Sequence, residues 1–512
     1  MKNSRSMFAV SGEADPLVRG RRPRRPALCV FLCLLISAML LSTACMVGPK
    51  YQRPGAPASA AYKEPPPEGW KEAQPSDGAI RGKWWEIYND PNLNALEEQV
   101  NISNQNILSA EAQYREARDA VRIARSGLFP TISGSASIVN SKTSGTLVNN
   151  NGRAAFVPGT RTDYSLPLSL SYQADIWGSI RRTVRQSAET AQVSAAQLEN
   201  ARLNFHTELA LNYFQLHGTD SAKDLLETTV KSYQEFLELT QNRQKSGVAS
   251  GSDVAQAQTQ LDTARAQLID LDVARSQFEH AIAILIGKPP SELTIARSPL
   301  KSEPPPVPIG VPSTLLERRP DIAAAERQMA AANEQIGIAR AAFFPALTLS
   351  ATAGLESSSI VNWFTWPSRF WSVGPQMAET LFDAGRRRAQ AAQAQAAFDV
   401  TVADYRQAVL AGFQQVEDNL SALRVLAEEA RAEQAAVKAA EDALQISTYQ
   451  YKAGTVSYLQ VITSQAIALQ DERTAVDILT RRMVASVSLV QALGGGWDAS
   501  QLPSVDNVIH GK

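Results

Sequence analysis

Apolar and small residues recur at alternating steps of three and four along most of this chain, the seven-residue pattern of packed helices. One line runs Leu93, Leu96, Val100, Ile107, Ala110, Tyr114, Ala117, Val121 and Ala124, and Ile322, Ala325, Met329, Ala332, Ile336 and Ala339 form its counterpart. A second line, Val184, Ala188, Ala191, Ala195, Leu198, Phe205 and Leu209, is mirrored by Ala391, Phe398, Val402, Tyr405, Val409, Val416 and Leu420. The pattern predicts helices from about Ser179 to Lys245 and from about Arg386 to Lys452, each about 100 Å long at 1.5 Å per residue. No compact globule of ordinary size needs helices of that length. Alanine at many seam positions lets neighbours approach closely, which suits a wall of helices. Each long helix stops at a glycine turn, Gly247-Val248-Ala249-Ser250-Gly251 or Gly454-Thr455-Val456-Ser457, and a new amphipathic helix follows at once. Ser252 and Ser457 are the expected N-caps.

Between helices the period changes to two, most cleanly over Tyr164-Ser165-Leu166-Pro167-Leu168-Ser169-Leu170-Ser171-Tyr172-Gln173. An apolar face bounded by aromatics, alternating with small polar residues, is what an outer-membrane barrel strand requires. Thr131 to Val139, Ala346 to Leu355 and Trp371 to Glu379 are the other candidates, and the cluster Trp363, Phe364, Trp366, Phe370 and Trp371 reads as an interfacial anchor. Pro167 predicts a bulge or an edge position. Four strands cannot close a barrel, and an open edge in lipid leaves backbone groups unsatisfied at about several kcal/mol each, so the chain must oligomerise. Two, three or four copies would supply 8, 12 or 16 strands.

The chain is also a duplication. Ile123-Ala124-Arg125-Ser126-Gly127-Leu128-Phe129-Pro130 returns 215 residues later as Ile338-Ala339-Arg340-Ala341-Ala342-Phe343-Phe344-Pro345, and Lys245-Ser246-Gly247-Val248 returns 207 later as Lys452-Ala453-Gly454-Thr455. The reading divides the chain into a leader (1–44), a Pro-rich N-terminal segment (45–91), a first repeat (92–297), a stiff Pro-rich linker (298–313), a second repeat (314–495) and a tail (496–512).

Seven basic residues against Glu13 and Asp15 precede the apolar run Ala27 to Ala44, the layout of an export signal. Removing that net +5 from the whole-chain charge of −1 leaves about −6, which argues against nucleic acid as a partner. Of the three cysteines, Cys29 and Cys33 lie in the signal core and Cys45 follows Leu41-Ser42-Thr43-Ala44 directly, so Cys45 is a candidate lipidation site. A single mature cysteine excludes an internal disulfide or a cysteine metal cluster. His206, His217, His280 and His510 lack metal-ligand spacing, and neither a nucleophile elbow nor a phosphate-cradling loop is present. No catalytic residue, metal or cofactor is expected. The pairs Glu97-Glu98, Glu417-Asp418 and Glu428-Glu429 read as solvated helix faces.

Taken in order, Cys45-Met46-Val47-Gly48-Pro49-Lys50-Tyr51, Trp84-Trp85 with Asp90-Pro91-Asn92-Leu93, the two Phe-Pro strand starts, Leu316-Glu317-Arg318-Arg319-Pro320-Asp321-Ile322, Leu381-Phe382-Asp383-Ala384-Gly385-Arg386 and both glycine tips resemble the TolC-like outer-membrane efflux family, in its lipoprotein (NodT-like) branch that partners RND-type pumps. The resemblance implies a mainly α fold in which a trimer builds a 12-stranded β-barrel over a 12-helix tunnel. It implies an outer-membrane, lipid-anchored exit duct whose tips (Gly247, Val248, Ala249, Ser250; Gly454, Thr455, Val456, Ser457) dock a periplasmic adaptor and an inner-membrane RND-type transporter. The family closes its periplasmic end with coiled coils that often carry acidic residues past the second tip. Here Gln460 and Thr463 stand in those places and Asp253 is the first-repeat mate of Gln460, so Asp253, Leu459, Gln460 and Thr463 are the candidate constriction. Exit channels of type I protein secretion and a non-pore periplasmic coiled-coil scaffold are the competing readings.

Overall fold

The structure, a computed structural model, describes residues 46–56, 61–64, 82–142, 160–300, 302–307 and 315–511. All of them belong to one compact unit, and the leader and Cys45 lie outside the described residues. A 3-10 turn (Trp84–Tyr88) leads into α1 (Pro91–Ser103) and α2 (Gln105–Ser126), then strands β1 (Thr131–Gly134), β2 (Ser137–Lys142) and β3 (Thr160–Ala174). Two helices follow, α3 (Ser179–Lys245) and α4 (Gly251–Leu285). The second half repeats the plan with α5 (Pro320–Ala341), β4 (Ala346–Ser357), β5 (Arg369–Ala378), α6 (Arg386–Lys452) and α7 (Tyr458–Ala492), and closes on the short α8 (Val505–His510). The copies match in length: α3 and α6 each have 67 residues, α4 and α7 each have 35, α2 and α5 each have 22.

Local chemistry sets the breaks. Asp90 caps α1 by accepting from the amides of Asn92 and Leu93, with Pro91 at the first helical position where no amide is needed. The first heptad line is interrupted at the buried Asn104, whose side-chain oxygen caps α2 at Asn106 and Ile107 while its amide donates to the Leu285 carbonyl at 2.8 Å. At the tips, Gly247 (φ 74°) and Gly454 (φ 79°) take the left-handed conformation that ends a helix at little steric cost. The first cap differs from expectation: Ser250, not Ser252, caps α4, in a reciprocal box with Asp253. Ser457 stands at the N-cap of α7 but makes no side-chain cap bond.

The long helices pack in a repeating scheme. Within each repeat α3 lies on α2 and α4, and α6 lies on α5 and α7; between repeats α3 packs on α5 and on α7. The seam residues Val184, Ala188, Ala191, Ala195, Leu198 and Leu209 are buried, as are Tyr405, Val409, Val416 and Leu420 on α6. The main core gathers where α1, α3, α6 and α7 meet, around Leu93, Val100, Tyr213, Val416 and Leu489. The segments at residues 51–56 and 505–510 cover equivalent grooves. Helix α8 sets Val508 against Val121, Ala188 and Ala191 of the α2/α3 groove, and Tyr51 and Ala56 pack on Ile322, Met329, Tyr405 and Val409 of the α5/α6 groove.

The strands form an antiparallel meander in the order β1 and β2, then β3, β4 and β5. β1 and β2 keep one register on β3, from Thr131 opposite Ser171 to Lys142 opposite Thr160, so they are one strand interrupted at residues 135 and 136. This corrects the expectation for Pro167. β3 lies inside the sheet, its register with β4 is continuous, and the interruption falls on the partner strand instead. Pro167 still accepts from the Ser135 amide at 3.2 Å but has no N–H to return, and pairing lapses there.

Candidate duct wall and periplasmic tips

The register sorts the sheet into two chemically distinct faces. Leu166, Leu168, Leu170 and Tyr172 stand opposite Leu355, Ala353, Ala351 and Leu349, and the same face continues to Trp371, Val373 and Met377 on β5 and to Ile138 and Ile132 on the other side. The reverse face carries Ser165, Ser169, Ser171 and Gln173 against Glu356, Thr352, Ser350 and Thr348, then Ser372 and Gln376. Ile132, Leu168, Trp371 and Met377 are exposed at 56 to 77%, an apolar surface that a water-soluble sheet would bury. An apolar face toward lipid and a hydroxyl-rich face toward water are the two sides of a transmembrane barrel wall. The aromatic cluster stands at one end of this surface, with Phe364 and Trp366 exposed and Trp363 packed on Tyr164 at 5.5 Å. No described helix is long and apolar enough to cross a membrane.

At the opposite end, where strands hand over to helices, residues 46–49 are held down. Val47 donates to the Trp177 carbonyl at 3.1 Å, and Trp177 in turn stacks on Phe344 and donates to the Pro345 carbonyl at 2.8 Å. The buried Arg182 donates to the carbonyls of Val47 (2.7 Å) and Pro49 (3.3 Å) and pairs with Glu334 at 2.7 Å. Gly48 (φ 114°) lies against Gly337, where a Cβ would come within 2.7 Å of the Gly337 Cα; a Cβ on Gly337 would collide with the Arg182 side chain. The Val47-Gly48-Pro49 motif is thus the shape of a docked segment, and Met46, the residue after the candidate lipidation cysteine, packs on Gly178 at the head of α3.

The tips Gly247 to Ser250 and Gly454 to Ser457 lie at the far ends of the hairpins, largely exposed. Tyr451, Tyr458 and Tyr233 form a buried knot above them, with Arg243 over the Tyr451 ring at 4.8 Å and donating to the Lys452 carbonyl at 3.1 Å. Burial, with Tyr451 and Tyr233 beside it, pushes the Tyr458 hydroxyl up to about 12. Leu459, Gln460 and Thr463 share one exposed face of α7, while Tyr458, Val461 and Ser464 are buried against the protein. Asp253 is engaged as a cap: its carboxylate accepts from the Ser250 amide at 3.0 Å.

One pair escaped the sequence reading. Glu97, expected on a solvated face, is fully buried with its carboxyl 2.6 Å from His206 Nδ1. Burial raises Glu97 well above the usual carboxylate range and lowers His206 to about 4, with the nearby Arg202 also contributing to the latter. A protonated Glu97 donating to Nδ1 of a neutral imidazole fits both directions; Nε2–H then donates to Asn101 Oδ1 at 3.0 Å, and the ring stacks on Trp85 at 4.5 Å. Spacing alone does not flag a Glu and a His more than a hundred residues apart. Asp220 is likewise buried, held by Arg275 at 2.8 Å and by the Ser298 amide at 3.0 Å, which ties the linker to α3. Among the described residues no cluster of His, Cys, Asp and Glu could hold a metal ion.

A two-faced sheet on two duplicated long hairpins has clear relatives. The family profile described as outer membrane efflux protein matches residues 96–288 and 311–495. The chain belongs to that family. A probable efflux pump outer membrane protein of Pseudomonas putida, TtgC, is 30% identical over 93% of this chain and 98% of its own length. The pyoverdine export outer membrane protein OpmQ of Pseudomonas aeruginosa is 29% identical over 91% of this chain and 97% of its own. Among solved structures, the outer-membrane channel OprN superposes with a TM-score of 0.78 at 29% identity, covering 88% of this chain and 100% of that one. The Campylobacter jejuni outer membrane channel CmeC, at 23% identity and a TM-score of 0.82 over 91% of this chain and 98% of its own, shares the fold. The chain is an outer-membrane efflux duct, mainly helical with a small sheet, in a family of channels rather than enzymes.

Proposed function

We propose that three copies assemble into the exit duct of a tripartite RND-type efflux system, passively conducting small molecules from adaptor and pump to the exterior. Small organic solutes, the class named for the relatives, are the proposed cargo. The observation that carries the reading is an unfinished duplication. β3 of the first repeat pairs with β4 of the second, yet β5 and the β1/β2 strand each have one edge unpaired among the described residues. Likewise α3 packs on α7 with Gly218 close against Thr480, whereas the repeat mates α6 and α4 make no comparable contact. The mates of Gly218, Val476 and Thr480 are Val425, Ile269 and Val273, and these are 46, 68 and 57% exposed. Applying the internal contacts between chains covers these side chains and closes the barrel, with no new kind of interface.

In this reading the two repeats (92–297 and 314–495) build the wall, acylated Cys45 anchors the segment that Arg182 holds, the glycine tips meet the adaptor, and the exposed face of Leu459, Gln460 and Thr463, with Asp253, narrows the periplasmic end. The duplication also fixes the register between chains. Ser169 faces Thr352 inside the chain, so Gln376 of one copy should face Ser137 of the next. Gln376→Cys with Ser137→Cys is expected to give an oxidant-dependent ladder ending at a trimer on denaturing gels. No ladder, or equal linking when Ser141→Cys replaces Ser137→Cys, would overturn it.

A further inference from the structure

The groove that seats residues 46–49 has a counterpart in the duplicated plan. The intrachain groove between α3 and α5 is filled by Met46 to Pro49, held by Arg182, Glu334, Gly337 and Asn333, whose amide reaches the Pro49 carbonyl at 3.4 Å. The repeat offsets place an equivalent groove between α6 of one copy and α2 of the next, and each chain has only one N-terminus to fill the two. Its residues differ in one direction. Arg182 becomes Ala389, which vacates the space of a long side chain, while Gly337 becomes Arg122, Asn333 becomes Arg118 and Ser179 becomes Arg386; Glu334 becomes Asp119. The Arg386 side chain is exposed and forms no hydrogen bond or ion pair among the described residues, its backbone amide alone donating to the Asp383 carbonyl at 3.1 Å. Arg122 has only Asp119, at 2.7 Å in a pair whose side chains are 71 and 62% exposed, and Arg118 lies over the Tyr114 ring at 5.9 Å. In the assembled duct three guanidinium groups would face Asp119, the Asp383 carboxylate at the head of α6 being already paired with Arg387 at 2.7 Å.

The position suits a headgroup layer. Arg386 is the first residue of α6, and Arg122 lies about 6 Å before the end of α2, with only residues 127–130 between that end and β1. The polar layer on each side of a hydrocarbon core is about 5–7 Å thick. A phosphate there can accept paired N–H bonds from arginine. We propose that this groove binds the headgroup of an anionic phospholipid of the periplasmic leaflet, so that grooves holding the chain's own N-terminal segment alternate around the duct with grooves holding free lipid. The proposal rests on the trimeric reading above.

The test is native mass spectrometry of the delipidated full-length protein titrated with phosphatidylglycerol or phosphatidylcholine. Expected is a trimer retaining one phosphatidylglycerol per protomer and little phosphatidylcholine, with retention roughly tenfold weaker in Arg122→Gln/Arg386→Gln and unchanged in Arg185→Gln, an exposed arginine outside the groove. A trimer that binds both lipids alike, or whose lipid is equally lost in Arg185→Gln or kept in the double variant, overturns the lipid site alone. A monomeric protein mass overturns the trimeric reading and the groove with it.

Discussion

Single side chains explain where this protein tolerates burial of charge. Glu97 and His206 titrate in opposite senses. Folding raises Glu97 above its ordinary 4.5, so its contribution is present at low pH and is lost as pH rises above that value. Folding lowers His206 from 6.5 to about 4, so its contribution is present above 6.5 and is lost as pH falls toward 4. Glu97→Gln keeps a donor for Nδ1 and removes the loss on the alkaline side. Its apparent melting temperature should therefore rise from about pH 5 to 6.5 and then hold to about 8, while that of the parent, where the two contributions oppose, holds to about 6.5 and then falls; parallel curves would contradict the neutral pair. Glu97→Ala, which strands Nδ1, should cost about 1–3 kcal/mol. Little of this was legible beforehand, because an acidic doublet on an amphipathic helix reads as solvent-facing until the partner helix is in place. The Gly48 and Gly337 contacts were similarly hidden. The motif was visible, but its cause is a guanidinium contributed from α3.

Helices and strands were far more legible than their joints. The heptad lines Val184 to Leu209 and Ala391 to Leu420, with the glycine turns at Gly247 and Gly454, gave the extent of α3 and α6. What periodicity could not show was the break at Asn104, which depends on a carbonyl from α4, or the lapse of the β1/β2 strand, which depends on a proline in another strand. The tips add an asymmetry. Ser250 closes a reciprocal cap with Asp253, whereas Ser457 makes no side-chain cap bond. Ser250→Ala should therefore fray the start of α4, at about 0.5–2 kcal/mol, seen as faster amide exchange over residues 251–255. Ser457→Ala should leave exchange at the start of α7 nearly unchanged. Equal responses would mean that the two tips are held alike and that the box adds nothing.

For the whole molecule, duplication does most of the explaining. In the proposed trimer a repeat that pairs with its twin inside the chain pairs again outside it, at the apolar residues left exposed on α4 and α6. The sequence showed the repeat and the alternating strands, but not the count of copies, because four strands fit several closed barrels. The central claim is that the assembled chain conducts, and planar-bilayer recording of the purified, detergent-extracted protein tests it most directly, alongside Leu459→Gly/Gln460→Ser. The account predicts discrete openings from a trimer, larger in the variant because the exposed Leu459 and Gln460 side chains no longer narrow the periplasmic end. A trimer that inserts yet passes no current in either form would contradict it.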